Sequence, residues 1–246
     1  MTILQLIDVV KSFGSGPTEV RALTDVSLEI HDGEFVAIRG PSGCGKSTLL
    51  HLAGGLEAPS AGHVLVGGRD LATMSPAELA QLRRTAIGYV FQRLNLVAGL
   101  TAMENVTLPL ELDGVRSRVA RARATEALRL VGLTQFLDRY PDDFSGGQQQ
   151  RIAIARAIVG ERRLLLADEP TGALDTQTGE EVIELLASLP DRHGTAVVLV
   201  THEPRYAAVA DRVVSMRDGR LVGVTSQLAT ELALEVAGTR SLGSGR

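Results

Sequence analysis

Short apolar runs recur along this chain, separated by turns rich in glycine, proline and aspartate. Such runs predict strands, at residues 4–10, 26–30, 35–38, 63–66, 87–91, 164–167, 196–200 and 213–216. The runs 87–91, 164–167 and 196–200 are nearly all apolar, which is typical of strands covered on both faces of a parallel sheet. The dipeptide Asp32-Gly33 predicts a hairpin turn that joins run 26–30 to run 35–38.

Helical spacing dominates the middle of the chain. Residues 101–159 contain no convincing strand, so we interpret about 93–159 as a helical subdomain inserted into an α/β core. We also expect the C-terminal part, 226–246, to contain one amphipathic helix over 227–237 and a tail. The main domain would then span residues 1–225, with an antiparallel β subdomain at its N-terminus.

Composition narrows the function classes. Net charge is −4 without a dense basic stripe, which argues against nucleic acid as a partner. No apolar run approaches the ~18 residues of a membrane span. Residues Met1–Gln5 lack the features of a signal peptide, and the single Cys44 cannot form an intrachain disulfide. We therefore expect a soluble protein of a reducing, intracellular compartment.

A glycine-rich loop carries the strongest chemical signal. The stretch Gly-Pro-Ser-Gly-Cys-Gly-Lys-Ser-Thr fits the phosphate-binding pattern G-x-x-x-x-G-K-[ST], and it lies between a predicted strand and a predicted helix. Lys46 would reach the β- and γ-phosphates, and Ser47 would bind Mg²⁺. The predicted nucleotide-binding residues are Gly40, Ser42, Gly43, Cys44, Gly45, Lys46, Ser47 and Thr48. The chain is thus predicted to bind a nucleoside triphosphate through a P-loop.

Two adjacent acids end the apolar run 164–167. In a parallel sheet the carboxyl end of a strand faces the ligand crevice. Asp168 is therefore predicted to hold Mg²⁺, and Glu169 to polarise the attacking water. This pairing of acids with a phosphate loop predicts hydrolysis of the nucleotide.

A second helix start also suits an anion. Ser145 is a favourable N-cap, and Gly146 and Gly147 allow a phosphate to approach the backbone closely. Gln148 continues the motif into a helix. One γ-phosphate cannot contact both helix starts of a single chain, so this motif predicts a site shared by two chains.

The full set of motifs resembles the ATP-binding-cassette family, over roughly residues 4–224. Residues 40–47 match the Walker A loop, 144–148 the signature, and 164–169 the Walker B strand. The resemblance assigns further roles to Phe13 (adenine stacking), Gln92 (the Q-loop, catalysis and Mg²⁺), Asp175 (the D-loop, at the nucleotide) and His202 (the switch histidine, catalysis). It implies a RecA-like P-loop core, with ATP and Mg²⁺ as cofactors.

The resemblance also implies partners. ATP would hold two copies in a head-to-tail homodimer, attached peripherally to an integral membrane permease at the cytoplasmic face of the plasma (inner) membrane. Several strings, such as 87–92 and 167–175, look most like the subunits of lipoprotein-releasing (LolD-like) and macrolide-exporting (MacB-like) systems. The alternative is an FtsE-like ATPase that relays a signal to cell-wall hydrolases.

This sequence departs from the family pattern at Phe144, Gly172 and Phe13, where leucine, serine and tyrosine are common. None of these positions contacts a phosphate or Mg²⁺ in the family, so we expect an intact catalytic site.

Three features allow two interpretations each. The apolar residues Leu94, Leu96, Val97 and Leu100 either form a docking surface for the permease or pack inside the helical subdomain. Five arginines between positions 116 and 129 form either a solvated face or a contact for anionic lipid. Cys44 is either a redox-sensitive thiol or a residue without a chemical role at a loosely constrained position of the loop.

Overall fold

Two β-sheets and two groups of helices organise the protein. A computed structural model describes residues 1–172 and 174–226. Its strands are β1 (Thr2–Phe13), β2 (Val20–His31), β3 (Phe35–Arg39), β4 (Ala61–Val66), β5 (Arg69–Asp70), β6 (Ile87–Val90), β7 (Leu164–Asp168), β8 (Ala196–Val200), β9 (Arg212–Arg217) and β10 (Arg220–Ser226). The helices are α1 (Lys46–Ala53), α2 (Pro76–Thr85), α3 (Ala102–Leu112), α4 (Ser117–Leu130), α5 (Gly146–Ile158), α6 (Thr176–Ala187), α7 (Leu189–His193) and α8 (Pro204–Ala207).

The two sheets differ in topology. The first is antiparallel, with strand order β2-β1-β4-β5. The second has the order β10-β9-β3-β8-β7-β6, and its strands are parallel from β9 to β6. β10 runs antiparallel to β9 at the edge. A core parallel sheet beside an antiparallel sheet confirms the predicted fold class.

Side chains from the parallel sheet enter two separate cores. Along β7, Leu164 and Leu166 pack with α1 and the antiparallel sheet, whereas Leu165 and Ala167 pack with the helical residues of α3, α4 and α5. β8 divides its side chains in the same way. Both faces of these strands are therefore covered, which explains their continuous apolar sequences.

Helices α3, α4 and α5 lie between β6 and β7 in the chain and pack against one another. Capping fixes where two of them begin, because Thr101 and Ser145 each accept a hydrogen bond from the backbone amide three residues later. The prediction of helices without strands over residues 101–159 is confirmed.

The predicted hairpin at Asp32-Gly33 is wrong. A tight turn is present, closed by a 3.1 Å bond from the amide of Glu34 to the carbonyl of His31. The flanking strands do not pair, however: β2 pairs with β1 in the antiparallel sheet, and β3 lies between β8 and β9 in the other. The reason is that β3 is buried on both faces, from Phe35 to Ile38, and only the parallel sheet can bury it so.

Other differences concern strand length and the C-terminus. β1 and β2 extend beyond their apolar runs, because polar residues such as Ser12 and Arg21 continue the ladder. The short β5 and the β10 strand were not predicted. The predicted helix at 227–237 lies outside the described residues. No helix within the described residues is long and apolar enough to cross a membrane.

Candidate active site

The phosphate loop links the end of β3 to the start of α1, as predicted. Gly45 precedes the helix with φ of 103°, a left-handed conformation that glycine adopts without strain. A Cβ atom at Gly40 would lie 2.2 Å from the carbonyl oxygen of Met216, so only glycine fits there. No side chain caps the first turn of α1. Its amides are therefore available to an anion, in line with the predicted role.

Lys46 places a buried positive charge inside this loop. Its side chain is 6% exposed, and its Nζ atom donates to the carbonyls of Gly40 at 2.9 Å and Pro41 at 3.0 Å. Within residues 1–172 and 174–226, no carboxylate accepts a hydrogen bond from this ammonium or forms an ion pair with it. A phosphate group would supply that missing negative charge.

The remaining loop residues differ in exposure. Ser42 and Gly43 are exposed at the surface of the loop, and Thr48 is half-buried in the first turn of α1. Cys44 is 4% exposed and belongs to the core shared by α1 and the antiparallel sheet. Burial of this thiol favours the interpretation of Cys44 as a packing residue.

Ser47 and Asp168 join the loop to the parallel sheet. The hydroxyl of Ser47 donates to Oδ1 of Asp168 over 3.1 Å. Asp168 is 5% exposed, and this desolvation raises the pKa of its carboxyl, as does the neighbouring charge of Glu169, against the lowering effect of the bond from Ser47. A divalent cation would stabilise the ionised form.

The donor set fits magnesium. Mg²⁺ is usually held by one or two protein oxygens, with phosphate oxygens and water completing the octahedron. One hydroxyl and one buried carboxylate at hydrogen-bonding distance meet that need.

Glu169 is contacted on both carboxylate oxygens. Nε2 of Gln92 donates to Oε2 at 3.4 Å, and Nδ1 of His202 lies 3.4 Å from Oε1. The three residues follow β6, β7 and β8, so adjacent parallel strands bring them to one edge. Glu169 has a positive φ of 45°, a conformation that costs about 1–3 kcal/mol. Such strain in a non-glycine residue is typical of functional sites.

The signature residues form a different surface. The hydroxyl of Ser145 accepts from the amide of Gln148, and the amide of Ser145 donates to Oε1 of Gln148, which completes a capping box. A Cβ atom at Gly147 would lie 2.7 Å from Cγ2 of Thr178, so glycine allows α5 to approach α6. Beside them is an open hollow of about 450 Å³, lined in part by Ser145, Gly146, Gly147, Gln148, Leu174 and Asp175. No residue of the phosphate loop lines it.

Asp175 has a structural task that the sequence did not indicate. Its carboxylate accepts from the amide of Thr178 at 3.0 Å and from the Thr178 hydroxyl at 2.7 Å, and so caps α6. These bonds lower the pKa of Asp175. Its position in the hollow beside the signature is compatible with the predicted role near nucleotide.

Phe13 ends β1, and its ring is 41% exposed. The ring is therefore accessible, and its stacking on adenine stays a prediction. Within residues 1–172 and 174–226, no hydrogen bond joins Phe13 or the signature residues to the cluster of Lys46, Ser47, Asp168, Glu169, Gln92 and His202. The structure thus presents two separate sets of predicted site residues, one around Lys46, Asp168 and Glu169 and one at the signature.

Tyr89 carries a buried polar group near Asp168 that the sequence did not indicate. Its ring stacks on Phe91 with centroids 4.1 Å apart, and its buried hydroxyl has no hydrogen-bond partner among the described residues. Desolvation, followed by the charge of Asp168, raises the pKa of this phenol. Only its place in a strand was visible in the sequence.

A second missed feature is a hollow of about 390 Å³ between the parallel sheet and the helices, which we name the apolar groove. Its lining includes Leu56, Tyr89, Phe91, Leu108, Pro109 and Leu112, with Arg83, Arg84, Arg156 and Arg162. Leu56 and Leu112 are 42% and 65% exposed. These apolar side chains lie far apart in sequence, so no local sequence pattern predicts the groove.

The segment 94–100, predicted as a possible docking surface, is bound to the helical subdomain. Asn105 accepts from the amide of Val97 at 2.8 Å and donates to the carbonyls of Val97 and Leu100. Leu96 packs against the core of that subdomain, whereas Val97 remains 43% exposed. Of the two interpretations given for this segment, packing inside the helical subdomain is the one that applies to Leu96.

Known proteins resemble this chain in sequence. The model of the ABC transporter family matches residues 23–172. The macrolide export ATP-binding/permease protein MacB of Salmonella typhimurium is 48% identical over 220 residues, 89% of this chain and 34% of that protein. An uncharacterized ABC transporter ATP-binding protein of Thermotoga maritima is 47% identical over 222 residues, 90% of this chain and 94% of that protein.

The fold is shared as well. The dimeric structure of a post-hydrolysis state of the ATP-binding cassette MJ0796, bound to ADP and Pi, has a TM-score of 0.85 and 40% identity, covering 91% of this chain and 98% of that chain. The chain spans about a third of the length of the MacB relatives that it matches. By sequence and by fold, the chain belongs to the ABC transporter family and is one of its ATP-hydrolysing cassettes.

Proposed function

We propose that this cassette powers a membrane permease by ATP-driven closure of a head-to-tail homodimer at the cytoplasmic face of the membrane. The transported cargo would be exported or extruded, as in lipoprotein-releasing or macrolide-exporting systems. The observation that carries the proposal is the contact of both Glu169 oxygens, with Gln92 and with His202, next to the Ser47–Asp168 pair.

The residues divide the chemistry among them. Lys46 and the amides of residues 43–48 bind the β- and γ-phosphates, and Phe13 stacks on adenine. Ser47, Asp168 and Gln92 would hold Mg²⁺, which when bound would neutralise charge on the phosphate oxygens. Glu169 accepts a proton from the attacking water, while His202 orients the carboxylate and stabilises charge on the γ-phosphate.

The dimer follows from the separation of two anion-binding surfaces. The signature hollow contains no residue of the phosphate loop, so it has no nucleotide-binding partner in its own lining. A second copy, placed head to tail, would bring its phosphate loop to Ser145 and Gly147. ATP would then contact both chains, and binding would favour association by mass action. The related cassette MJ0796 is described as dimeric.

The apolar groove is the proposed contact for the permease. Its exposed Leu56 and Leu112 would cover a short helix of the partner. Phe91 lines the groove and directly precedes Gln92, which contacts Glu169. A partner bound in the groove would contact Phe91, and a resulting movement of the adjacent Gln92 would change its contact with the carboxylate of Glu169. The names of the MacB relatives combine ATP-binding and permease functions.

Phosphate release as a function of protein concentration tests the shared site. If two chains form each site, the rate per chain should rise with concentration and then reach a plateau. A rate per chain that stays constant in a range where the protein is monomeric by mass would contradict the proposal. Lys46→Ala, measured in parallel, reports release that does not depend on the site.

A further inference from the structure

Lys11 and Phe13 lie two residues apart near the end of β1, where the pairing with β2 shifts register between Lys11 and Ser12. The Nζ atom of Lys11 lies 4.8 Å from the centroid of the Phe13 ring, over its face. The chain contains only two lysines, and the other is Lys46 in the phosphate loop. Every other basic side chain that carries a permanent charge is arginine.

The ammonium of Lys11 is held firmly in this place. It donates to the carbonyl oxygen of Ala58 at 2.8 Å and pairs with the carboxylate of Glu57 at 2.8 Å. Its side chain is only 12% exposed, whereas the Phe13 ring is 41% exposed. The segment after α1 therefore anchors a cation against the ring, and the ring keeps a large accessible surface.

One face of the ring carries the cation, and the described residues place no other ring or cation against Phe13. A cation over a ring is attracted by its quadrupole and fixes its orientation. It also draws π-electron density toward itself, which reduces repulsion with an electron-rich partner on the opposite face. A purine base is such a partner.

We propose that Lys11 is a positioning residue for nucleotide binding: it supports one face of Phe13 so that the opposite face stacks on adenine. The proposal rests on the nucleotide site proposed above. The side chain of Lys11 contacts Glu57, Ala58 and Phe13, and none of these belongs to the phosphate loop. Its contribution should therefore depend on the base of the ligand and should vanish when the base or the ring is removed.

Binding measurements with two probes, MgATP and inorganic triphosphate with Mg²⁺, separate these effects. Lys11→Met keeps an unbranched apolar stem and removes the charge. It should weaken MgATP binding about two- to fivefold, the range of an exposed cation–π contact, and leave triphosphate binding unchanged. Lys11→Arg should restore MgATP affinity. In a Phe13→Ala background, Lys11→Met should have no further effect.

Glu57→Gln is the matched control, because it removes the ion pair and leaves the charge beneath the ring. It should retain MgATP affinity. The proposal is overturned if Glu57→Gln weakens MgATP binding as much as Lys11→Met does. It is also overturned if Phe13→Ala weakens the binding of MgATP alone but Lys11→Met weakens the binding of both probes equally, or of neither. If Phe13→Ala leaves MgATP affinity unchanged, the base site itself is wrong, and the role of Lys11 falls with it.

Discussion

The Nδ1 atom of His202 lies 3.4 Å from Oε1 of Glu169. The two residues follow adjacent parallel strands, β8 and β7, and the backbone amide of Glu169 also bonds to the carbonyl of Val200 at 2.9 Å. The position of the carboxylate is thus set by a strained backbone and by contacts from two neighbouring strands. A group fixed in this way fits the role of a general base better than that of a solvated surface acid.

Replacing Glu169 by glutamine should retain ATP binding and lower turnover about 10²–10⁴-fold, the usual range for loss of a general base. The amide keeps the shape and the contact with His202 but cannot accept the proton. Steady-state phosphate release and nucleotide titration measure the two effects separately. Lys46→Ala should instead lose nucleotide affinity. Near-normal turnover in Glu169→Gln would remove Glu169 from the mechanism.

Ser145→Ala should impair ATP-dependent association, because the hydroxyl at the start of α5 is part of the proposed anion site. The substitution also removes a helix cap, which costs about 1 kcal/mol of stability. Ser75→Ala is the matched control, since Ser75 forms the same capping box with Glu78 at α2, away from the signature. Both variants should lose similar stability in denaturant titrations. Equal association in both would show that Ser145 acts only as a cap.

Asp168→Asn should stabilise the nucleotide-free protein at pH 7. Burial raises the folded-state pKa of Asp168 above its unfolded value, so the ionised carboxylate destabilises the fold at pH values above both. The penalty disappears below the unfolded pKa of about 4. The increase in Tm should therefore shrink as the pH falls from 7 towards 4.

Asp175→Asn should change the Tm in the opposite direction to Asp168→Asn. Hydrogen bonds from Thr178 lower the pKa of Asp175, so its carboxylate stabilises the fold above the unfolded pKa and loses that effect as the pH falls. This variant should have a lower Tm at pH 7. For Asp168→Asn, two results would contradict burial as the cause of the raised pKa. One is an unchanged Tm at pH 7, and the other is a Tm increase that does not vary with pH.

Leu112→Glu in the apolar groove should release the cassette from its permease and leave ATP affinity unchanged. Leu112 is 65% exposed, so the substitution leaves the core intact. Sedimentation with membranes from cells that express the complete transporter measures attachment. Val97→Glu tests the segment 94–100 in the same assay, and Val222→Glu, 61% exposed on β10, is the control. Release by Val97→Glu but not by Leu112→Glu would move the docking surface to that segment.

Local motifs account for what the sequence predicted well. The phosphate loop depends on glycines, a lysine and a serine within nine consecutive residues, and the structure forms the loop as expected. The acids at the end of β7 were placed correctly because a parallel strand always presents its carboxyl end to the crevice. The continuous apolar runs likewise matched strands buried on both faces.

Features made by distant residues were not predictable. The turn at Asp32-Gly33 has hairpin chemistry, but tertiary packing sends β2 and β3 into different sheets. Leu56, Phe91 and Leu112 meet in the apolar groove only after the helices pack on the sheet. The cation over Phe13 also depends on a contact with Glu57, 46 residues from Lys11 by chain position. Such arrangements can be identified only from the folded structure.

The central claim is that each ATP is held between two copies of this chain. Light scattering of Glu169→Gln at micromolar concentration, with and without ATP and Mg²⁺, measures it most directly. The variant binds ATP without turnover, so the closed state should accumulate. We expect a mass near 26.1 kDa without nucleotide and twice that value with MgATP. A mass that stays at one chain under saturating MgATP would contradict the shared site.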